Sequence, residues 1–139
     1  MTARKELLPK WVRFFSWPFL LFLTSPIILI VGMFIGDMRY SLFGISYYGS
    51  SLHLLPVFII LIMTFHGIAA YGLLWSKRWG VNVGIACGLI GAILSVIGMM
   101  VAFLHGQVHF EFSIIAQVLF LIALFNVREK WLLPDEEKS

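Results

Sequence analysis

Four long apolar runs, none with a charged residue in its middle, dominate this sequence of 139 residues. They cover approximately residues 15–36, 53–75, 80–104 and 110–127. Each run has roughly 18–25 residues, and a helix of that length crosses about 30 Å of hydrocarbon. Helices also satisfy their own backbone hydrogen bonds, which lipid cannot do. The sequence therefore predicts a single all-α domain over residues 1–139, an integral membrane four-helix bundle.

The composition supports a membrane protein. Charged residues make up 12% of the chain and hydrophobic residues 60%, whereas a soluble domain has about 25% charged residues. The basic residues lie beside the apolar runs, which favours membrane topology over nucleic-acid binding as their explanation. Cys87 is the only cysteine. An internal disulfide, a CxxC redox pair and a cysteine zinc site are therefore excluded.

The positions of lysine and arginine predict an orientation. Of the ten basic residues, only Arg39 lies in a loop on the opposite side from the other nine. Positive residues favour the cytoplasmic side of a membrane. We expect a multi-pass protein of the plasma (cytoplasmic) membrane, with both termini and the turn at residues 76–79 in the cytoplasm. The nine residues on that side are Arg4, Lys5, Lys10, Arg13, Lys77, Arg78, Arg128, Lys130 and Lys138.

Two further stretches have an interfacial composition. The first, "KELLPKWVRFFSW" at residues 5–17, mixes basic residues with leucine and aromatic residues. It is predicted to be an amphipathic segment in the headgroup layer. The second, "GDMRYSLFGISYYGSS" at residues 36–51, is rich in aromatic residues and poor in charge. An interfacial helix or an ordered loop on the bilayer surface is expected there.

A stripe of small residues follows the third apolar run at spacings of three and four. Such spacings place all of them on one face of a helix, and small residues let two membrane helices approach closely. The stripe predicts helix packing, either within the chain or at a dimer face or transport groove. Its members are Gly80, Gly84, Gly88, Gly91, Ser95, Gly98 and Ala102.

His66 lies inside the second apolar run, in "LIMTFHGIAAYG". Counting about 1.5 Å per residue from the outer end puts it roughly 20 Å deep, at a level similar to that of Thr24 and Ser25. A neutral imidazole bonded to one of these hydroxyls is one interpretation. The other is a functional role, because ionisable residues inside membranes often relay protons or bind ligands. A haem would need a second axial ligand, for which Met63, Met99 and Met100 are candidates.

Titratable residues also gather near the outer ends of the predicted helices. His53, His105, His109 and Glu111 are candidate ligands of a divalent metal such as Zn²⁺ or Cu²⁺. Their spacing matches no established metal motif, and the ordinary polarity of loops is the favoured explanation for them.

Motifs for enzymatic chemistry are absent from the sequence. It contains no phosphate-binding loop, nucleophile elbow or HExxH zinc motif, and no glutamate in the middle of a run, as proton-coupled four-helix exporters carry. We expect a structural or accessory membrane protein that packs with itself as a homo-oligomer or with a partner in a larger complex. The alternatives are a small dimeric transporter or channel, and a haem- or quinone-binding membrane anchor that uses His66.

Overall fold

The computed structural model describes residues 4–43, 45–106 and 112–133. These residues form six α-helices, one 3-10 helix and two β-strands. In chain order they are α1 (Arg4–Leu7), α2 (Lys10–Leu20), the 3-10 helix (Leu21–Thr24), α3 (Ser25–Ile35), β1 (Met38–Leu42), β2 (Ile45–Gly49), α4 (Leu54–Leu74), α5 (Gly80–Leu104) and α6 (Ser113–Leu132). The prediction of a mostly helical chain is confirmed.

Within the described residues, three helical stretches are long and apolar enough to cross a membrane. They are Lys10–Ile35, Leu54–Leu74 and Gly80–Leu104. The first joins α2, the 3-10 helix and α3, and its helical geometry changes just before Pro26, which occupies the first turn of α3. Proline is tolerated there because the first amides of a helix have no partner within it.

The helices α4, α5 and α6 run alternately up and down. The backbone of Gly80 on α5 lies against Gly72 on α4, and Trp131 near the end of α6 donates from Nε1 to the carbonyl of Lys77, 3.0 Å away. We call this end of the molecule the basic end. The opposite end, where α3 finishes at Ile35 and α4 begins, is called the hairpin end.

The all-α prediction is wrong in one respect, because Met38–Leu42 and Ile45–Gly49 are the two strands of an antiparallel β-hairpin. Tyr40 pairs with Tyr47, and Leu42 pairs with Ile45, so the turn begins at Phe43. Phe43 has a φ of 50°, as the first turn residue of a two-residue hairpin requires. The hairpin replaces the interfacial helix or loop expected from the sequence.

One face of the hairpin packs against α3 and α4. Tyr40 is buried with Ile59 and Ile60 of α4, and its hydroxyl is hydrogen-bonded to Ser51. The same hydroxyl lies where a Cβ on Gly32 would be. A side chain at position 32 would therefore require the side chains of Tyr40, Ser51 and Met38 to move.

The small residues of the stripe on α5 face inward, and most of the large apolar residues of this helix face outward. Gly84 lies against Leu124, Gly88 against Leu121 and Gly91 against Gln117, all on α6. Ser95 is hydrogen-bonded to Ser113. The stripe thus forms the contact of α5 with α4 and α6 in the same chain. The exposed face carries Leu89, Ile93, Val96, Ile97, Met100 and Val101.

The N-terminal stretch joins the core at the basic end. Leu8 and Val12 are buried in one cluster with Leu73, Leu124 and Trp131. The helix α2 starts at Lys10 and continues without interruption through residue 15, where the sequence suggested that the first apolar run begins. Residues 10–17 are therefore part of the first long helical stretch, and the headgroup location expected for residues 5–17 stays a prediction.

Candidate functional site

A cavity of about 250 Å³ lies inside the helical bundle beside His66. The helix α2 packs on α4, and α6 packs on α5, whereas α2 and α6 make few contacts with each other. The cavity lies between α2 and α6, against α4 and α5. Its walls are Trp11, Phe15, Ser16 and Phe19 of α2, Phe43 of the hairpin, His66, Ala69 and Ala70 of α4, Cys87 and Gly88 of α5, and Ser113, Ala116, Gln117 and Phe120 of α6.

Aromatic rings supply much of the apolar wall. Phe19 is stacked on the imidazole of His66 with centroids 6.0 Å apart, and Phe43 lies 5.3 Å from the same ring at a tilt. Small residues of α4 and α5 form the opposite wall. Aromatic walls around a small space are suited to a flat apolar ring.

The imidazole of His66 is fixed by its own helix. Its Nδ1 lies 2.8 Å from the carbonyl oxygen of Ile62. Because a carbonyl can only accept, Nδ1 carries the proton and the neutral ring keeps Nε2 as its acceptor. The ring also borders the backbone of Cys87, whose thiol donates to the carbonyl of Phe65.

The expected pairing of His66 with Thr24 or Ser25 is wrong. Thr24 donates to the carbonyl of Leu21 in its own turn, and Ser25 is hydrogen-bonded to Thr64. The predicted level of His66 beside Thr24 is close to the observed one. A Cβ on Gly67, next to His66, would meet the backbone of Leu23, the residue before Thr24. The directions of the side chains differ because the 3-10 helix interrupts the regular turn of the first span.

Gln117 is a polar group that the sequence analysis did not single out. Its amide nitrogen and oxygen are buried, and neither has a hydrogen-bond partner. Among the described residues that line the cavity, only Gln117 has buried side-chain polar atoms without a hydrogen-bond partner. An amide left without partners in an apolar wall is costly, so a molecule in the cavity that accepts or donates a hydrogen bond there would be stabilised. A lone amide in the middle of the fourth apolar run was the available signal.

The surroundings of His66 do not fit a haem with two protein ligands. Met63 packs against the core between the hairpin and α4, and Met100 is exposed on α5. Neither of these, nor Met99, lines the cavity. The second axial ligand proposed from the sequence is therefore not found beside the imidazole within the described residues.

The candidate metal ligands at the hairpin end have other contacts. His53 caps α4 by accepting from the amide of Leu55, and its ring is stacked on Tyr47. Nδ1 of His105 lies 2.8 Å from the carbonyl of Val101. His109 and Glu111 lie outside the described residues. Among residues 4–43, 45–106 and 112–133, no three histidine, cysteine or acidic side chains are grouped for metal binding.

Comparison with known proteins gives no relative for this chain. No family model, no curated protein and no solved structure matches it.

Proposed function

We propose that this chain is a small integral membrane protein that binds a lipophilic molecule of quinone type in the cavity beside His66. The observation that carries the proposal is the buried, unpartnered amide of Gln117 in an otherwise apolar and aromatic wall. This develops the third of the functions expected from the sequence, with a quinone rather than a haem as the ligand.

The placement of large and small side chains supports a membrane location. Large apolar residues of α3 and α5 are exposed, whereas glycine, serine and histidine are buried between the helices. Exposed apolar surface of this extent is unfavourable in water. Small residues at helix contacts and large ones outside are typical of helices in lipid.

The helix α6 is proposed as a fourth span, although Arg128, Glu129 and Lys130 lie near its end. It contacts α5 from Ser113 to Trp131, about 27 Å at 1.5 Å per residue, close to the thickness of the hydrocarbon core. Its three charges are at the basic end, together with Lys77 and Arg78. This supports cytoplasmic termini in the plasma membrane. Outside labelling of a cysteine at residue 3 or 137 would contradict the orientation.

The chemistry of the cavity favours a ring with oxygen substituents. An engineered apolar cavity of about 150 Å³ holds benzene, so 250 Å³ leaves room for a substituted ring. The amide nitrogen of Gln117 can donate to a ring carbonyl, and its oxygen and Nε2 of His66 can accept from a ring hydroxyl. The space between α2 and α6 would let such a molecule enter from the lipid and leave its apolar tail there.

One expectation for the stripe of small residues on α5 was a dimer face or a transport groove. Because that stripe packs against α4 and α6 of the same chain, the cavity is the better-supported basis for function.

The proposal is tested by binding of a short-chain benzoquinone to the purified protein in mild detergent. Since quinones quench indole fluorescence and Trp11 lines the cavity, saturable quenching is expected, and Trp11→Phe should reduce its amplitude. Gln117→Leu should weaken binding about threefold to tenfold, because one net hydrogen bond contributes about 0.5–1.5 kcal/mol. Asn126→Leu, an exposed amide of the same helix, is the matched control. Non-saturable quenching, or equal affinity of the two leucine variants, would contradict the proposal.

A further inference from the structure

The β-hairpin extends lengthwise along α4 and reaches the depth of His66. Near the start of α4, Tyr47 of the hairpin is stacked on His53. At the other extreme, Phe43 in the turn contacts His66. These two histidines are thirteen residues apart, or about 20 Å along a helix. The hairpin is therefore a re-entrant element that descends from the hairpin end into the level of the apolar helices.

The face of the hairpin that does not contact the helices is polar. Alternate residues point away from α3 and α4, as the period of a β-strand requires. On this exposed face Arg39 is paired with Tyr48, and Ser41 with Ser46. The positive charge lies toward the hairpin end and the two serines lie deeper, next to the turn.

The backbone of the hairpin adds to this polar surface. In a two-stranded sheet the outer edge of each strand presents amides and carbonyls that no neighbouring strand satisfies. In the described residues, no backbone hydrogen bond joins either strand to a helix. Non-helical backbone at membrane depth occurs where protein buries it or where it lines a water-filled space, and not against lipid.

We infer that a water-filled crevice follows the polar face of the hairpin from the hairpin end to the level of Ser41 and Ser46. This goes beyond the proposed ligand site and rests only on its membrane location. The crevice would bring water and small polar solutes close to Phe43, which separates it from the cavity. Arg39 near its entrance would favour anionic over cationic solutes.

Thiol labelling in membrane vesicles tests the crevice. In a Cys87→Ser background, Ser41→Cys and Ser46→Cys are exposed to a membrane-impermeant anionic methanethiosulfonate on the side of the hairpin end. Leu61→Cys is the matched control, because Leu61 is exposed on α4 at a similar depth. Both serine positions should react at least about tenfold faster than position 61, since only a thiol in contact with water forms the reactive thiolate.

Each outcome has a distinct meaning. Slow labelling at all three positions, with normal labelling after denaturation, would show that lipid or protein covers the polar face and would overturn the crevice. Fast labelling at all three would show that α4 is not in lipid, and would overturn the membrane location proposed above. With the crevice present, Arg39→Gln should lower the rate of the anionic reagent relative to a cationic one by about twofold or more.

Discussion

The aromatic ring of Phe43 lies 5.3 Å from the imidazole of His66 and so joins the turn of the β-hairpin to the middle of α4. Both rings belong to the wall of the cavity. The turn of the hairpin is therefore part of the candidate site. A change in the turn should therefore alter the stability of the hairpin and the shape of the cavity together.

Substitutions of Phe43 separate the effect of its backbone from that of its ring. The φ of 50° is unfavourable for any residue with a Cβ by about 1–2 kcal/mol, and glycine avoids this cost. Phe43→Gly and Phe43→Ala both remove the ring, but the glycine variant should be more stable by about 1 kcal/mol. Chemical denaturation in detergent would measure the difference. An alanine variant as stable as the glycine variant would show that the turn is not held in this conformation.

The sequence contains a pattern typical of a hairpin, but the composition of the segment favoured another interpretation. Residues 38–42 and 45–48 alternate between residues that face the helices and residues that face away, with two residues between the runs. This is a hairpin pattern. The low charge and the many aromatic residues of the segment favoured an interfacial helix or loop instead. Its depth could not be predicted, because it depends on contacts with α3 and α4 that are distant in sequence.

Two glycines of α5 should differ in their tolerance of a methyl group. A Cβ on Gly80 would lie about 2.5 Å from the backbone of Gly72, which cannot move without separating α4 from α5. A Cβ on Gly88 would meet only side-chain atoms of Leu121, at 2.8 Å, and these can rotate away. Gly80→Ala should therefore lower the thermal midpoint clearly more than Gly88→Ala, whose cost should be at the lower end of about 1–3 kcal/mol. Equal midpoints would contradict this packing at the basic end.

Trp131 should stabilise the basic end through its indole nitrogen. It is fully buried and donates to the carbonyl of Lys77 in the turn between α4 and α5. Trp131→Phe removes the donor and leaves a small void, so a loss of about 1–3 kcal/mol is expected. Trp75→Phe is the control, because Trp75 is 47% exposed. Unfolding of both variants in the same detergent should show a large effect for Trp131 only, and comparable losses would argue against this bond.

The helices were predictable and the site only partly so. Long apolar runs and the spacing of small residues depend on local sequence, and α5 covers the residues expected for the third run. His66 was found because an imidazole is unusual in such a run. The residues that contact His66 could not be predicted, since the contacts depend on the direction of each side chain after the 3-10 helix at residues 21–24. Gln117 is present in the sequence as a lone amide in the middle of the fourth apolar run, but its lack of hydrogen-bond partners depends on the packing of α6 against α5.

Two variants of His66 should separate its structural role from its role toward a ligand. Phe keeps an aromatic ring against Phe19 and Phe43 but has no acceptor, whereas Gln keeps an acceptor and loses the ring. Aromatic contacts contribute about 0.5–1.5 kcal/mol, whereas the Ile62 carbonyl that accepts from His66 lies in the same helix and keeps its helical backbone donor when the imidazole is removed. His66→Phe should therefore remain nearly as stable as the natural protein. It should lose affinity for the reduced hydroquinone, whose hydroxyl donates to Nε2, and keep its affinity for the benzoquinone, which has no donor. His66→Gln should be less stable by about 1 kcal/mol and retain part of the affinity. Thermal unfolding, and competition of the hydroquinone with benzoquinone quenching on the same samples, would measure both. Full hydroquinone affinity in the folded Phe variant would show that Nε2 of His66 does not contact the ligand.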